Sequence, residues 1–254
     1  MQFSKHPFHQ RVLPTLTLLF RMKTYAHILF DLDHTLWDFE KNSEETLYAL
    51  YDQFALGSFG KFDCSSFYRK YKFVNMRLWD LYNKGRIKQA ELRESRFVKT
   101  LTGLGLEPHE VPAGISEAYI QLCPTKTAVF PFAYEVLEYL KPRYGLHIIT
   151  NGFKEVQHIK MSSSNLHPYF REIVTSECCG YKKPDRRMFE HLLGRIGVAP
   201  EACLMIGDNY ECDIAGARDA GIDQVFFNPE KTSHRRSPRP TYEISCLSEL
   251  KQLL

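Results

Sequence analysis

Two carboxylates spaced by one residue, Asp31 and Asp33, follow a short apolar run, and Thr35 comes two positions later. Carboxylates this close repel each other, and one is driven towards protonation unless a cation lies between them. The pair therefore suits either a hard divalent metal ion or the joint work of one nucleophile and one proton carrier. Taken alone, the pair equally fits an exposed loop, where aspartate is common.

The apolar run before this pair, residues 25–30, predicts a strand buried on both faces, because its residues do not alternate between apolar and polar. In open α/β sheets, chemistry collects just beyond the carboxyl ends of the strands. We expect Asp31 at the end of such a strand, with the side chain of Asp33 pointing back over the same place.

Thr150, Asn151 and Gly152 follow a second apolar run. A hydroxyl, an amide and free backbone N–H groups at the start of a helix suit the binding of an oxyanion. The alternative is an ordinary helix N-cap, for which threonine and asparagine are common choices.

Lys183 stands directly before Pro184, and a residue in that position is held in an extended backbone. Such a lysine suits an ammonium group placed over a cluster of carboxylates. The alternative is a solvated lysine.

Asp208 and Asp213 follow a later apolar run, and Gly207 lets the backbone turn sharply away from it. Both aspartates are then available near the edge of the sheet. Asp213 is also a candidate N-cap for the next helix, and the two roles are compatible.

These polar groups need elements that bring them together. From residue 128 onwards, strands are predicted near 146–149, 173–175, 203–206 and 224–227, and they alternate with helical patterns. This alternation predicts an α/β fold with a Rossmann-like, doubly wound parallel sheet, to which the first strand also belongs.

Residues 38–126 carry helical patterns only, enough for about four helices, and predict a helical domain inserted after the first strand. In the clearest of them, apolar residues recur at alternating steps of four and three between Phe67 and Leu81. Asn42, with Glu45 three residues later, predicts a capping box at the start of the first helix.

The composition limits the class of protein. The chain has 254 residues, of which 44% are hydrophobic, and it contains no apolar run of the ~18 residues that would predict a membrane span. The net charge is +3, without a basic stripe and interleaved aromatic residues, which argues against a nucleic-acid polymer as partner. Seven cysteines without metal-binding spacing predict reduced thiols in a cytoplasmic protein.

The predicted organisation has three parts. Residues 1–22 combine basic residues with a short apolar run, and we interpret them as a tail or upstream extension, with a targeting segment as the alternative. Residues 23–37 and 127–254 form the α/β core, and residues 38–126 form the helical domain.

The four polar groups, in this order and at predicted strand ends, resemble the four motifs of the haloacid dehalogenase (HAD) superfamily of phosphohydrolases. The helical insertion is similar to the C1-type cap of that superfamily. The resemblance implies that Asp31 is a nucleophile that forms an aspartyl-phosphate, and that Asp33 is the general acid and base. It also implies Mg²⁺, held by Asp31, the backbone carbonyl of Asp33, and Asp208, with Thr150 and the Asn151 backbone as phosphate ligands.

In the same resemblance, Lys183 balances charge on the nucleophile and the phosphate, and Asp213 orients Lys183 or a metal-bound water. True dehalogenases of this superfamily lack the second aspartate, so Asp33 favours a phosphatase. Mutases similar to β-phosphoglucomutase commonly carry Gly-Val after that aspartate, so Thr35 favours a hydrolase over a mutase.

Two stretches of the insertion, 75–79 and 92–97, resemble the bacterial pyrimidine 5′-nucleotidase subfamily. The resemblance implies a small phosphorylated metabolite as the partner, in particular a nucleoside 5′-monophosphate. Asn75, Trp79 and Arg96 are the candidate substrate contacts in the cap. Packing within the cap is the alternative for Trp79, and a plain surface charge is the alternative for Arg96.

Other functions remain open from the sequence. A sugar-phosphate or phosphoglycolate phosphatase would need the same core residues, as would a mutase. A non-catalytic phosphate-binding module would keep the fold, because fold alone does not define function. We expect a monomer or a homodimer.

Overall fold

The computed structural model describes residues 24–232 and 239–254. A six-stranded parallel sheet with strand order β3-β2-β1-β4-β5-β6 lies at its centre. The strands are β1 His27–Phe30, β2 Gly145–Thr150, β3 Glu172–Thr175, β4 Cys203–Gly207, β5 Asp223–Phe227 and β6 Tyr242–Ile244. The predicted α/β, doubly wound sheet is confirmed, although the sequence prediction lacks the short edge strand β6.

The helices of the described residues are α1 Phe39–Gln53, α2 Cys64–Asn83, α3 Gln89–Thr102, α4 Ile115–Leu122, α5 Ala133–Leu140, α6 Lys154–Ser163, α7 Ser176–Cys179, α8 Arg186–Ile196, α9 Gly216–Asp219 and α10 Leu250–Leu253. Helices α1 to α4 follow β1, and no strand interrupts residues 38–126. We refer to this helical segment as the cap. The exact domain boundaries stay a prediction.

Strand β1 is central because it pairs on both sides. Phe30 lies in register with Ile148 of β2 and with Ile206 of β4. All three side chains are fully buried, as expected for strands covered on both faces. The carboxyl ends of the three strands therefore meet at one edge of the sheet, and the residues that follow them become neighbours.

The sheet separates two apolar clusters. Ile28 and Phe30 face the larger cluster, which continues into the cap helices, whereas Leu29 faces the smaller one beneath α8. Successive side chains of a strand point to opposite faces. The run of three apolar residues in β1 therefore anchors both layers that cover the sheet and holds the following aspartates in place.

The predicted capping box at Asn42 is wrong. Helix α1 begins at Phe39, and its N-cap is Asp38, whose side chain accepts a hydrogen bond from the backbone N–H of Lys41. Asn42 is instead buried inside the helix and binds Ala128, donating to its carbonyl at 2.8 Å and accepting from its N–H at 3.0 Å. Its amide thus ties the chain entering the cap to the chain leaving it.

No helix in residues 24–232 or 239–254 is long and apolar enough to cross a membrane. The predicted tail, residues 1–22, lies outside the described residues and stays a prediction.

Candidate active site

Residues that the sequence places at four separate positions meet at the carboxyl edge of the sheet. Asp31 follows β1, Thr150 ends β2, Asp208 follows β4, and Lys183 lies in the connection between α7 and α8. All four line one cavity of about 730 Å³ between the sheet edge and the cap. The predicted convergence of the four motifs is therefore present in the structure.

Lys183 is the buried centre of this site. Its ammonium group donates to Asp31 Oδ1 at 2.6 Å, to Asp213 Oδ1 at 2.6 Å, and to the carbonyl of Ile149 at 2.7 Å. An ammonium group has three hydrogens, and all of them are used. Burial alone would lower the pKa of Lys183, but the two carboxylates outweigh it and raise that pKa, so the lysine is a fixed cation.

Asp31 and Asp208 carry more negative charge than Lys183 alone can balance. Burial raises the pKa of Asp31 well above its usual range, since Asp213 and Asp208 oppose the favourable effect of Lys183. Burial and the nearby Asp213 raise the pKa of Asp208 to about 8. Carboxyl groups held this way bind a further cation readily.

Carboxylate oxygens of Asp31, Asp208 and Asp213 lie within 4.8 Å of one another. Asp213 already accepts from Lys183 through Oδ1, and through Oδ2 it accepts from the N–H of Asn209 at 2.9 Å. Asp31 and Asp208 each keep an oxygen without such a bond, and no backbone N–H of the described residues donates to the Asp33 carbonyl. These donors fit Mg²⁺, which prefers a few carboxylate and carbonyl oxygens and retains water.

Asp213 is not the N-cap of the next helix. A turn of π-helix, Tyr210–Ala215, precedes α9, and Asn209 caps it by accepting from the N–H groups of Glu211 and Cys212. The glycine before Asp208 is also needed for a reason other than a turn. A Cβ atom on Gly207 would lie 2.4 Å from Asp213 Oδ2, so only glycine lets this carboxylate pack against the strand end.

Thr35 supports Asp208, to whose Oδ1 its hydroxyl donates at 3.2 Å. Its side chain is fully buried. The threonine therefore fixes the orientation of one carboxylate that we expect to bind metal.

The carboxylate of Asp33 lies on the cavity floor and is held by two side chains that the sequence analysis does not identify. Lys160 donates to Oδ1 at 2.5 Å, and Gln157 donates to Oδ2 at 2.8 Å. Burial would raise the pKa of Asp33, but the charge of Lys160 and these hydrogen bonds outweigh it and lower that pKa. Both partners lie on α6, three residues apart, in a segment that reads only as a helix in the sequence.

Thr150 and Asn151 differ in what their side chains do. The Thr150 hydroxyl oxygen lines the cavity and accepts from the N–H of Gly152 at 3.0 Å. The Asn151 amide instead holds Lys183, accepting from its N–H at 2.8 Å and donating to its carbonyl at 2.9 Å, and it also donates to Asn83 of the cap. Asn151 thus positions the lysine through its side chain.

The three candidate substrate residues of the cap have different surroundings. Asn75 lines the cavity, and its Oδ1 is buried without a hydrogen-bond partner in the part of the chain that the structure describes. Trp79 also lines the cavity, while it stacks on Phe153 of the core at a centroid distance of 5.3 Å. Arg96 is not a surface residue: it is buried, with its guanidinium 4.6 Å from the ring centroid of Tyr119, and it is not part of the cavity lining.

The fold and these strand-end residues agree with a family model. Residues 25–221 match the model described as a hydrolase, haloacid dehalogenase-like hydrolase. The chain therefore belongs to the HAD-like hydrolases, and the predicted resemblance to phosphohydrolases of this superfamily is confirmed at the level of the family.

Within the family, similar proteins include two curated nucleotidases. The chain is 31% identical to pyrimidine 5′-nucleotidase PynA of Streptococcus pneumoniae, over 91% of this chain and 95% of that protein. It is also 31% identical to pyrimidine 5′-nucleotidase YjjG of Escherichia coli, over 89% of this chain and 96% of that protein. A similar solved structure is YfnB of Bacillus subtilis bound to magnesium, with a TM-score of 0.80, 29% identity, and coverage of 91% and 99% of the two chains.

Proposed function

We propose that this protein is a Mg²⁺-dependent phosphatase that hydrolyses pyrimidine nucleoside 5′-monophosphates through an aspartyl-phosphate on Asp31. The observation that carries the proposal is the position of Lys183, which binds both Asp31 and Asp213 at 2.6 Å. A fixed cation beside one carboxylate suits phosphoryl transfer, in which catalysis consists mainly of positioning and charge neutralisation.

In the first step, the Asp31 carboxylate attacks phosphorus, and the bond from phosphorus to the ester oxygen breaks. Asp33 donates a proton to that oxygen, so that the nucleoside leaves as an alcohol. In the second step, Asp33 takes a proton from water, whose oxygen attacks phosphorus, and Asp31 is released together with inorganic phosphate. Asp33 thus ends the cycle with the proton it began with.

Residues Asp31 and Asp208, with the Asp33 carbonyl, would hold Mg²⁺, which supplies charge neutralisation for the transferred phosphoryl group when bound. Lys183 keeps Asp31 in place and adds its own positive charge. Thr150 supplies a hydroxyl to a phosphate oxygen, and Asp213 keeps the lysine oriented towards the nucleophile.

The cap provides the features that we assign to recognition of the nucleoside. Tyr71, Asn75 and Trp79 follow one another every four residues on α2 and form a stripe along the cavity. Asn75 Oδ1 is buried without a hydrogen-bond partner among the described residues, whereas the Tyr71 hydroxyl interacts with Tyr119 and Arg96. A buried polar atom without a partner is costly, so we assign Asn75 Oδ1 to the polar edge of a base, with Trp79 beside the ring.

The similarity to the nucleotidases PynA and YjjG supports a nucleotide rather than a sugar phosphate as the substrate. Arg96 has a different role in this proposal. Because it is buried against Tyr119 and lies outside the cavity lining, we assign it to supporting the stripe on α2 rather than to direct contact with phosphate.

The test is phosphate release from a panel of monoesters, measured with Mg²⁺ and with a chelator. The panel contains UMP, dUMP, dTMP, purine monophosphates, sugar phosphates and phosphoglycolate. We expect Mg²⁺-dependent turnover with kcat/KM highest for the pyrimidine nucleotides. A preference for sugar phosphates or phosphoglycolate would contradict the assigned substrate, and turnover that survives the chelator would contradict the assigned cofactor.

A further inference from the structure

Two largely buried side chains in the lining of the cavity floor have no assigned part in the steps above. Gln157 and Lys160 lie on one face of α6, with relative exposures of 1% and 4%. Both contact Asp33, and Gln157 also contacts Thr150. Polar groups this deeply buried are retained in a fold when they position other groups or fulfil a function.

We propose that Gln157 and Lys160 are positioning residues that hold the Asp33 carboxylate in its working place and set the direction of the Thr150 hydroxyl. The inference rests on the proposed function, in which Asp33 transfers the proton and Thr150 binds phosphate. It adds that the side-chain amide of Gln157 links Asp33 to Thr150.

The amide nitrogen of Gln157 has two hydrogens, and both are used. One is donated to Asp33 Oδ2 at 2.8 Å, and the other to Thr150 Oγ1 at 3.0 Å. Thr150 Oγ1 also accepts from the N–H of Gly152 at 3.0 Å. A hydroxyl oxygen has two lone pairs, and both are occupied, so the Thr150 hydrogen is left to donate. Since Thr150 lines the cavity, that hydrogen is available to an oxygen of the phosphate.

Gly152 shows how closely this amide is fitted. A Cβ atom on Gly152 would lie 1.7 Å from Gln157 Nε2, a distance at which the side chain of Gln157 would have to leave its place. The glycine that follows Thr150 and Asn151 is therefore required by the space that the glutamine occupies.

Lys160 fixes the other oxygen of Asp33. Its ammonium group lies 2.5 Å from Asp33 Oδ1, and 4.3 Å from the ring centroid of Trp37. Asp33 is its carboxylate partner among the described residues, and the aromatic ring covers another side of the cation. With both oxygens held, Asp33 cannot rotate freely, while each oxygen keeps a second lone pair for the proton that it transfers.

The test compares two aryl phosphates that differ by one nitro group, phenyl phosphate and p-nitrophenyl phosphate. The nitrophenolate leaves without a proton, whereas phenolate depends more on an acid, so the ratio of their kcat/KM values reports on the placement of Asp33. The variants are Gln157→Leu and Lys160→Met, with Lys160→Arg as the conservative change. Lys154→Met is the matched control, because Lys154 is an exposed lysine on the same helix.

We expect kcat/KM for phenyl phosphate, divided by kcat/KM for p-nitrophenyl phosphate, to fall about tenfold in Gln157→Leu and in Lys160→Met. This is a fraction of the whole contribution of a general acid, which is about 10² to 10⁴-fold. It should recover in part in Lys160→Arg and remain at the wild-type value in Lys154→Met. Unfolding of a variant lowers both activities equally and leaves the ratio unchanged. Far-UV circular dichroism therefore identifies the variants that are folded, and a ratio that stays at the wild-type value in folded Gln157→Leu and Lys160→Met would overturn the proposal.

Asp33→Asn, measured in the same way, separates this inference from the function on which it rests. It should lower the ratio more than either positioning variant does. If it leaves the ratio unchanged, Asp33 is not the acid, and the mechanism and the inference are both wrong. If the ratio responds but UMP is a poor substrate, the inference stands and only the assigned substrate is wrong.

Discussion

The cavity has two sides: a floor at the sheet edge, which includes Asp31, Lys183 and Asp213, and a roof formed by α2 of the cap, which includes Asn75. The two sides differ in how their polar atoms are hydrogen-bonded. On the floor, the ammonium of Lys183 uses all three hydrogens within the protein, and Asp213 uses both oxygens. On the roof, Asn75 Oδ1 is buried without a hydrogen-bond partner among the described residues. The hydrogen bonds of Lys183 and Asp213 are thus complete before any substrate arrives, and Asp31 and Asp208 keep oxygens for a cation, whereas Asn75 on the roof is left to pair with a ligand.

This difference suggests how one core serves many phosphate esters. The reaction at phosphorus is the same for each ester, so the groups that perform it gain from being preorganised. Discrimination between substrates depends on polar atoms that only the correct partner satisfies, because the wrong partner leaves them buried and unpaired. We therefore expect substitution of the nucleophile Asp31 to affect all phosphate esters alike, and substitutions on the roof to affect nucleotides above all.

The largest effect is expected for Asp31→Asn. The amide cannot attack phosphorus, so kcat should fall by about 10⁴-fold or more for UMP and for p-nitrophenyl phosphate alike. Phosphate release and far-UV circular dichroism check this prediction, and the spectrum should match that of the wild-type protein. Turnover close to the wild-type rate would remove the aspartyl-phosphate from the mechanism.

Lys183→Met should damage both activity and stability. Removing one partner of a buried charge network leaves Asp31 and Asp213 uncompensated, which costs roughly 3 kcal/mol in the free energy of unfolding. Urea unfolding measures this loss, and Mg²⁺ should restore part of it by replacing the missing positive charge. Lys182→Met provides the control, because its ammonium donates only to the carbonyl of Tyr82 among the described residues and should cost far less. Equal losses in the two variants would contradict the central role of Lys183.

Asn75→Leu tests the roof alone. The leucine keeps the approximate volume but removes the amide, so KM for UMP should rise about tenfold, the equivalent of one hydrogen bond. Turnover of p-nitrophenyl phosphate, which has no base to recognise, should stay unchanged. Phe73→Leu, at an exposed position of the same helix, is the control. If Asn75→Leu lowers kcat/KM for UMP and for p-nitrophenyl phosphate by the same factor, Asn75 does not recognise the base, and the proposed role of the roof is wrong.

The smallest effect on activity is expected away from both regions, at the half-buried His27 of β1 and the buried His147 of β2, whose ring nitrogens lie 3.0 Å apart. Burial, with the nearby charges of His27 and Arg171, lowers the pKa of His147 to about 4. Below pH ~6.5, His147 binds a proton in the unfolded chain but stays neutral in the folded protein. The free energy of unfolding should therefore fall as the pH drops from 6.5 towards 4.

The loss should amount to roughly 1 to 3 kcal/mol, since one pKa unit corresponds to about 1.4 kcal/mol. Thermal unfolding across this pH range checks the prediction. His147→Phe should reduce the slope, whereas His158→Phe, at an exposed position of α6, should retain it. A wild-type slope in His147→Phe would show that other groups cause the acid sensitivity.

The fold was largely predictable because short apolar runs mark β1, β2 and β4, and because polar residues follow each of them. The strand β6 was missed, since Tyr242–Ile244 is only three residues long and lies at the sheet edge. The local sequence pattern also gave a wrong N-cap at Asn42. The N-cap is Asp38, four residues earlier, and Asn42 is buried where it binds Ala128. Burial by distant residues is not encoded in a local pattern.

The same limit explains what was missed in the site. Gln157 and Lys160 stand at the spacing of one helical face, where a glutamine and a lysine usually meet solvent. Only the placement of α6 beneath Asp33 makes that face internal. The one sequence signal is Gly152, whose lack of a side chain leaves room for a residue one helical turn or more along the chain.

The bonds between Asn42 and Ala128 have a consequence for how such a chain can vary. Together with the bond from the N–H of Asp38 to the carbonyl of Ala128, they bring the two ends of the cap to one point on the core. The cap segment between Asn42 and Ala128 is therefore a loop whose two ends are held together. The entropic cost of closing a loop grows only slowly with its length. The intervening segment can therefore change in length at little cost in loop-closure entropy, as long as it still covers the apolar cluster that the sheet shares with the cap. New substrates can then be recognised by a changed cap while the residues at the sheet edge stay the same.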